Sequence, residues 1–505
     1  SSLSSSSARA CQNVTPPRHR HRHRHRAPGR AVSSFGFLRG LRGRPVSLAR
    51  ATSTSSTPSN LGGFGLVAGP GVGGSMVQLQ QPFDSPFVTV CLVPTGIAAS
   101  IGGYAGDAMP CARLLANATD ILITNPNVLN AAMLYPPQNA WDNASSVMYV
   151  EGMALDLFAT GRWALAPLNR RTNKVGLVLD AAIEPELRTR HVQVAQAMRA
   201  SVGADIVTEA VVTSSPLGVK LGGGYEKYEQ QNTTACSSRG GGVTNTEALL
   251  EACEIVVSKH GCDAVAVVTR FPDDVDDGAY RHGDGVDPVG GAEAAISHAV
   301  VSSLGVPCAH APCNAPWEVD DDVHPKAAAE ELGYTFLPCV LSNLHFLAPR
   351  YVALQNDHDL SSDFENPSHA ALMARPGEGF NAAAYMSALD QPPRPSSMPP
   401  MPEKMPTPGG YETLLTAAHV NAVVVPATAC GSPAVLALCG NSTAALQARR
   451  GQPPALCICV ESNTTVMDVT PELLDLPNAI RVRSYAEAAG ILLAQRAGVV
   501  LDSLM

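Results

Sequence analysis

The richest stretch for chemistry follows the first apolar run of the chain. Phe87–Val93 leads into Val93-Pro-Thr-Gly-Ile-Ala-Ala-Ser-Ile-Gly-Gly-Tyr-Ala-Gly-Asp107. Glycines placed directly after a strand let backbone N–H groups close on an anion, and a following helix N-terminus adds a favourable dipole. Thr95, Gly96, Gly102, Gly103 and Gly106 are therefore candidate ligand-binding positions. The spacing matches neither GxGxxG nor the P-loop, and Gly-Lys-Ser/Thr occurs nowhere, so dinucleotides and nucleoside triphosphates gain no support. A carboxylate or phosphate fits the turn; close backbone packing explains the same glycines without a ligand.

Five further residues offer acid, base or nucleophile chemistry. Asp180 closes the apolar run Val175–Asp180, and strand C-termini are where open α/β sheets bind ligands, so it can act as a general base or hold a metal. The pairs Glu184/Arg188 and Glu186/Arg190 behind it have the i,i+4 spacing of solvated helix pairs. Asp287 precedes a helix and could simply cap it, while His298 lies within that helix and His310 beyond it. Glu293 and His298 are five positions apart, about 140° around a helix, and do not share a face. His298, Cys308 and His310 can form a metal or catalytic set only if the fold brings them together. Cys430 stands at a strand-to-helix turn, where a helix N-terminus lowers a thiol's pKa and makes a nucleophile; a small residue in a tight turn is the plainer account. The polar run Glu461–Thr465 follows the next strand and would line the same edge.

Arg270 and Asp273 stand at another strand end, ahead of more carboxylates in Asp273-Asp274-Val275-Asp276-Asp277. The run lacks the alternating oxygen ligands and closing Glu of a calcium loop, so a solvated acidic turn is expected, with Arg270 as an anion anchor. No GxSxG elbow or HExxH motif is present.

Alternating elements must position these residues. Apolar runs at Phe87–Val93, Asp120–Thr124, Val175–Asp180, Ile206–Thr213, Asp263–Thr269 and Tyr334–Leu341 read as buried strands. Helical patterns cover Pro185–Val202, Thr244–His260 and Gly290–Leu304; Thr244 with Glu247 makes a capping box, and Gly261 and Gly305 are helix stops. Later strands at Ala422–Pro426, Ala455–Val460 and Ala479–Arg483 precede a helix from Tyr485 to Ala497. The pattern predicts an α/β protein with mostly parallel sheets flanked by helices. Gly222–Gly242 reads as an exposed loop, and eight prolines in 391–410 as a linker.

The expected organisation is a disordered basic leader (1–83), a main α/β domain (84–350), a Pro-rich linker or insertion (351–410) and a smaller C-terminal α/β domain (411–505). The first acidic residue is Asp84. Eleven arginines and no lysine precede it, leaving 24 basic residues against 44 acids, about −20, for the rest. An Arg- and Ser-rich, acid-free leader has the composition of an organelle transit peptide. The acidic body argues against sequence-independent nucleic-acid binding, and no apolar run reaches membrane-spanning length. Thirteen cysteines without a CxxC read as buried, reduced thiols, including Cys457-Ile-Cys459 inside an apolar run.

The phrases VPTGIAASIGGYAGDAMP, TNPNVLN, YVEG, DAAIEPELRTRH, TRFPDD, GVDPVGGAEAAISH, CAHAP and EELGYTFLPCVL occur in that order. Together they resemble an uncharacterised family of cyanobacteria and plant or algal plastids, catalogued as domain of unknown function 3326. The likeness covers most of 87–345 and, more loosely, 411–500. It implies a cyanobacterial origin and residence in the chloroplast stroma; it supplies no activity, cofactor or catalytic residue.

Two functions lead at this level, with metal trafficking through the His and Cys groups as a third. One is an enzyme acting on a small anionic metabolite at the strand C-terminal edge, with Asp180, Asp287, His298 and His310 as acid/base groups, Arg270 and Asp273 at the anion and Cys430 as nucleophile. The other is a non-catalytic plastid factor that assembles a protein partner. Cofactor, metal and oligomeric state are left open by the sequence.

Overall fold

Fully buried valine, isoleucine and leucine runs settle into strands because their branched side chains pack on a pleated surface that is covered on both faces. The computed structural model describes residues 86–130, 146–168, 172–221, 236–238, 241–275, 278–284, 287–316, 320–331, 336–354 and 414–504. The basic leader, the stretch 391–410 and most of Gly222–Gly242 lie outside the described residues.

The first half of the chain gives β1 (Val88–Cys91), α1 (Met109–Ala118), β2 (Ile121–Thr124), β3 (Val147–Tyr149), α2 (Gly152–Ala159), β4 (Trp163–Ala166), β5 (Val175–Leu179), α3 (Pro185–Val202), β6 (Val211–Val212), β7 (Val219–Leu221), β8 (Cys236–Ser238), β9 (Gly241–Val243) and α4 (Thr246–Ser258). Then follow β10 (Ala264–Arg270), α5 (Gly290–Leu304), β11 (Cys308–Cys313), α6 (Phe336–Phe346), β12 (Arg350–Ala353), β13 (Val420–Pro426), α7 (Pro433–Cys439), β14 (Leu456–Val460), β15 (Ala479–Val482) and α8 (Tyr485–Arg496).

The two larger sheets are parallel throughout. One has the order β15-β14-β13-β1-β2-β3, the other β11-β10-β5-β6. Smaller antiparallel sheets pair β12 with β4 and order β7-β9-β8. The architecture is α/β with mostly parallel sheets. Alternate strand residues enter two apolar layers. Val90, Val267 and Val425 meet α2, α4, α5 and α7 in one, and Leu122, Leu177 and Val424 meet α1, α3, α6 and α8 in the other. No helix among the described residues is long and apolar enough to cross a membrane.

Four sequence expectations are corrected. The boundary drawn in the Pro-rich stretch does not divide the sheets, because β13 pairs in parallel with β1 and completes a sheet that spans both sides of it. Parallel neighbours need long crossovers, so chain distance says little about sheet adjacency. Tyr334–Leu341, read as a strand, contributes to helix α6, where Leu337, Val340, Leu341 and Leu344 are buried at helical spacing. Its Pro338 lies in the first turn, where a missing N–H costs little. Ile206–Thr213 supplies only the two residues of β6 and a single bridge at Ile206. Gly222–Gly242 is not loop throughout, since β8 and β9 fall within or beside it.

At α4 the cap is Asn245, whose side chain accepts from Ala248 N–H at 3.2 Å, while Thr244 turns back to the carbonyls of Leu217 and Gly218. Gly305 does stop α5 in the left-handed conformation.

Candidate functional site

In the first sheet, β1 leads to β2 and β3 on one side, whereas β13 leads to β14 and β15 on the other. Neighbouring connections that run in opposite directions open a crevice beyond the strand C-termini, the usual ligand position in such sheets. The loop after β1 enters that crevice. Gly102 adopts φ +91°, and a Cβ on Gly103 would lie 2.3 Å from the Ala99 carbonyl oxygen, so both positions need glycine.

Gly102 and Gly103 border a cavity of about 270 Å³, together with Asp273, Tyr280, Asp287, Glu293, His310 and Glu330. Tyr104 also lines it, stacked on Tyr280 with centroids 4.5 Å apart. The Tyr104 hydroxyl is buried and finds no hydrogen-bond partner among the described residues.

His310 projects from β11, and both its ring nitrogens face side chains of α5. Ser297 Oγ lies 2.5 Å from Nδ1, and Glu293 Oε2 lies 3.4 Å from Nε2. Glu330 sits on the helical turn Ala328–Glu331, and its Oε1 accepts from Tyr280 OH at 2.8 Å and Ala105 N–H at 3.1 Å. Burial, reinforced by the charge of Asp287, raises the Glu330 carboxyl to about 8. Asp287 is raised to about 7 by burial and by Glu293. Its Oδ1 accepts from Val289 N–H at 2.9 Å, so this carboxyl occupies the N-terminus of α5. Neighbouring carboxyls in a shared low-dielectric site cannot all ionise, which is the physical origin of both shifts.

The sequence candidates divide clearly. Gly102, Gly103, Asp273, Asp287 and His310 line the cavity; Thr95, Gly96 and Gly106 do not. Arg270 does not line it either, and its guanidinium is fully spent. Nε and Nη2 reach Glu184 at 3.0 Å, Nη1 and Nη2 reach Asp273 at 2.7 and 2.6 Å, and Nη1 also bonds the Phe271 carbonyl. Its role as an anion anchor is therefore corrected: the carboxylates paired with it already supply the anion.

Asp180 is fully buried and accepts from Ala182 N–H at 2.9 Å, Leu217 N–H at 3.0 Å and Arg270 N–H at 3.2 Å, a scaffold function rather than a general base. His298 pairs with Glu151 at 2.9 Å, away from His310, and the proposed set of His298, Cys308 and His310 does not form. Cys430 is fully buried among other thiols, where no substrate reaches it. Strand-end position could not say which side chains the chain itself would consume.

The residues missed by the sequence reading are Tyr104, Tyr280, Glu330 and Ser297. Tyr104 stands inside the glycine loop, and that placement was the one available signal. The run Glu461–Thr465 supports the loop instead of lining the cavity. Ile101 N–H donates to Asn463 Oδ1 at 2.9 Å, Asn463 Nδ2 returns to the Ile101 carbonyl at 2.7 Å, and Ser100 N–H donates to the Thr464 carbonyl at 2.9 Å. Within the same loop Gly102 N–H is held by Asp107 at 2.7 Å. The amides of Ser100, Ile101 and Gly102 are thus bound within the chain.

The chain is 50% identical over 266 residues, 52% of its own length and 68% of the relative's, to an uncharacterized lipoprotein of Synechococcus sp.. No solved structure matches it. A family model covers residues 88–392 and 399–505, reaching every cavity residue named above and β13 to β15 as well. The chain accordingly belongs to the family described as Protein of unknown function (DUF3326).

Proposed function

We propose that the protein is an acid–base enzyme whose cavity takes a small polar molecule bearing hydrogen-bond donors or a positive charge, a protonated amine being the simplest case. The observation that carries this reading is the convergence of Asp287, Glu293, Glu330 and His310 on one cavity beside the orphan Tyr104 hydroxyl. His310 is the proton acceptor through Nε2, with its Nδ1–H donating to Ser297 Oγ and Glu293, 3.4 Å from Nε2, stabilising the imidazolium that forms. Glu330 is the proton donor, since its pKa of about 8 keeps it protonated at neutral pH and its Oε1 alone receives the two protein donors. Removal of a proton at one substrate atom and delivery at another is the chemistry of an isomerisation or elimination. A small carboxylate or phosphate takes second place, because Arg270 and the Ile101 and Gly102 amides are engaged within the chain.

Thermal shift with matched panels of amines, carboxylates and phosphates tests the reading. Amines are expected to raise the melting temperature; at a hundredfold excess over Kd the stabilisation is about 2.7 kcal/mol. Glu293→Gln, which removes a carboxyl from the cavity wall, is expected to weaken it. Stabilisation by anions alone would return the site to an anionic metabolite. No shift with any panel, together with loss of a protein partner on surface substitution, would favour the non-catalytic factor.

We also propose that residues 1–83 direct the chain to the chloroplast and that the acidic body works in the stroma. Support comes from the acid-free, Arg-rich leader and from the cyanobacterial relative. A fluorescent reporter carrying residues 1–83 is expected in the soluble fraction of chloroplasts; cytosolic or membrane-bound reporter would overturn the assignment.

A further inference from the structure

We infer that Cys430, Cys457 and Cys459 form a binding site for one thiophilic d10 cation, with Zn²⁺ as its natural occupant. None of the three lines the cavity, so the inference is independent of the acid–base reading. Cys457 and Cys459 alternate on β14 and therefore project from the same face of the strand. The turn between β13 and α7 delivers Cys430 to them. Cys430 Sγ lies 3.8 Å from Cys459 Sγ, which lies 3.6 Å from Cys457 Sγ, and all three sulfurs fall within 4.8 Å of one another. A tetrahedral site with Zn–S bonds of about 2.3 Å places its sulfurs about 3.8 Å apart. The thiols thus already hold the spacing that the ion requires.

All three residues have 0% exposure. Soft sulfur donors select Zn²⁺ or Cu⁺ over hard cations. On binding, each coordinating Sγ–H bond breaks, a Zn–S bond forms, and the proton leaves to solvent, so uptake falls at low pH. Close-packed thiols serving as small hydrophobes would show the same burial but no uptake.

The test uses the full chain purified under reducing conditions, incubated with Zn²⁺ and freed of excess by gel filtration. Mass spectrometry for metal is expected to find one zinc per chain, and Co²⁺ in its place is expected to give thiolate-to-metal charge-transfer absorption in the ultraviolet. The Cys457→Ala/Cys459→Ala double variant, with its fold checked by circular dichroism, should lose both signals, whereas Cys253→Ala, which removes a buried thiol elsewhere, should keep them. Absence of stoichiometric zinc and of the cobalt band in the wild-type chain overturns the inference. Undiminished uptake by a folded double variant does so equally.

Discussion

Asp180→Ala is expected to lower the stability of the protein by about 3–5 kcal/mol, a large part of the 5–15 kcal/mol that usually separates folded from unfolded states. The buried carboxylate accepts three backbone N–H groups, from the turn after β5, from the segment before β7 and from the end of β10. Truncation strands all three donors away from water, and each unpaired buried donor costs roughly 1–3 kcal/mol. Asp180→Asn keeps one acceptor oxygen but turns an amide towards an N–H, so an intermediate loss is expected. Urea unfolding of both variants is the measurement. If Asp180→Ala unfolds at the wild-type midpoint, the scaffold role is wrong and the residue returns to the list of catalytic candidates.

Stability is expected to fall as pH rises from about 5 to 9, with Glu330 as a principal cause. Its carboxyl titrates at about 8 in the folded chain against 4.5 unfolded, and Asp287 at about 7 against 3.8. Between those values the folded chain retains protons that the unfolded chain has released, so raising the pH draws the equilibrium towards unfolding. His298 adds in the same sense. Burial opposes its charge, but the neighbouring Glu151 prevails and raises its pKa, so its contribution is complete below about 6.5 and fades above that.

At about 1.4 kcal/mol per unit, the Glu330 shift contributes at most about 5 kcal/mol, and its coupling to Asp287 prevents simple addition of the two. Carboxylates held low by arginine, such as Glu184 and Asp273, lose their contribution only as pH falls below about 4, outside this window. Urea midpoints measured from pH 5 to 9 should decline in the wild-type chain and decline less in Glu330→Gln. A profile that is flat or rising in the wild type would show that these carboxyls ionise freely, removing Glu330 as the proton donor.

By itself the sequence determined what depends on neighbours along the chain. Apolar runs and helical spacing are local, so α3, α5, β5 and β10 were legible, as was the α/β class. The phrase order that points to the family and the charge break at Asp84 are likewise properties of the string. Of the residues singled out by spacing, Gly102, Gly103, Asp287 and His310 border one cavity.

Only the tertiary structure decided which polar groups are left over for a ligand. Arg270 and Asp180 looked available because their partners, Glu184 and the Leu217 amide, lie 86 and 37 positions away. Glu330 and Tyr280 looked unremarkable because their shared hydrogen bond and low-dielectric surroundings arise from segments 50 positions apart. Cys430 and Cys459, 29 positions apart, meet because parallel strands must be joined by long crossovers. Pairing, burial and charge proximity act through space, and spacing along the chain carries no measure of them.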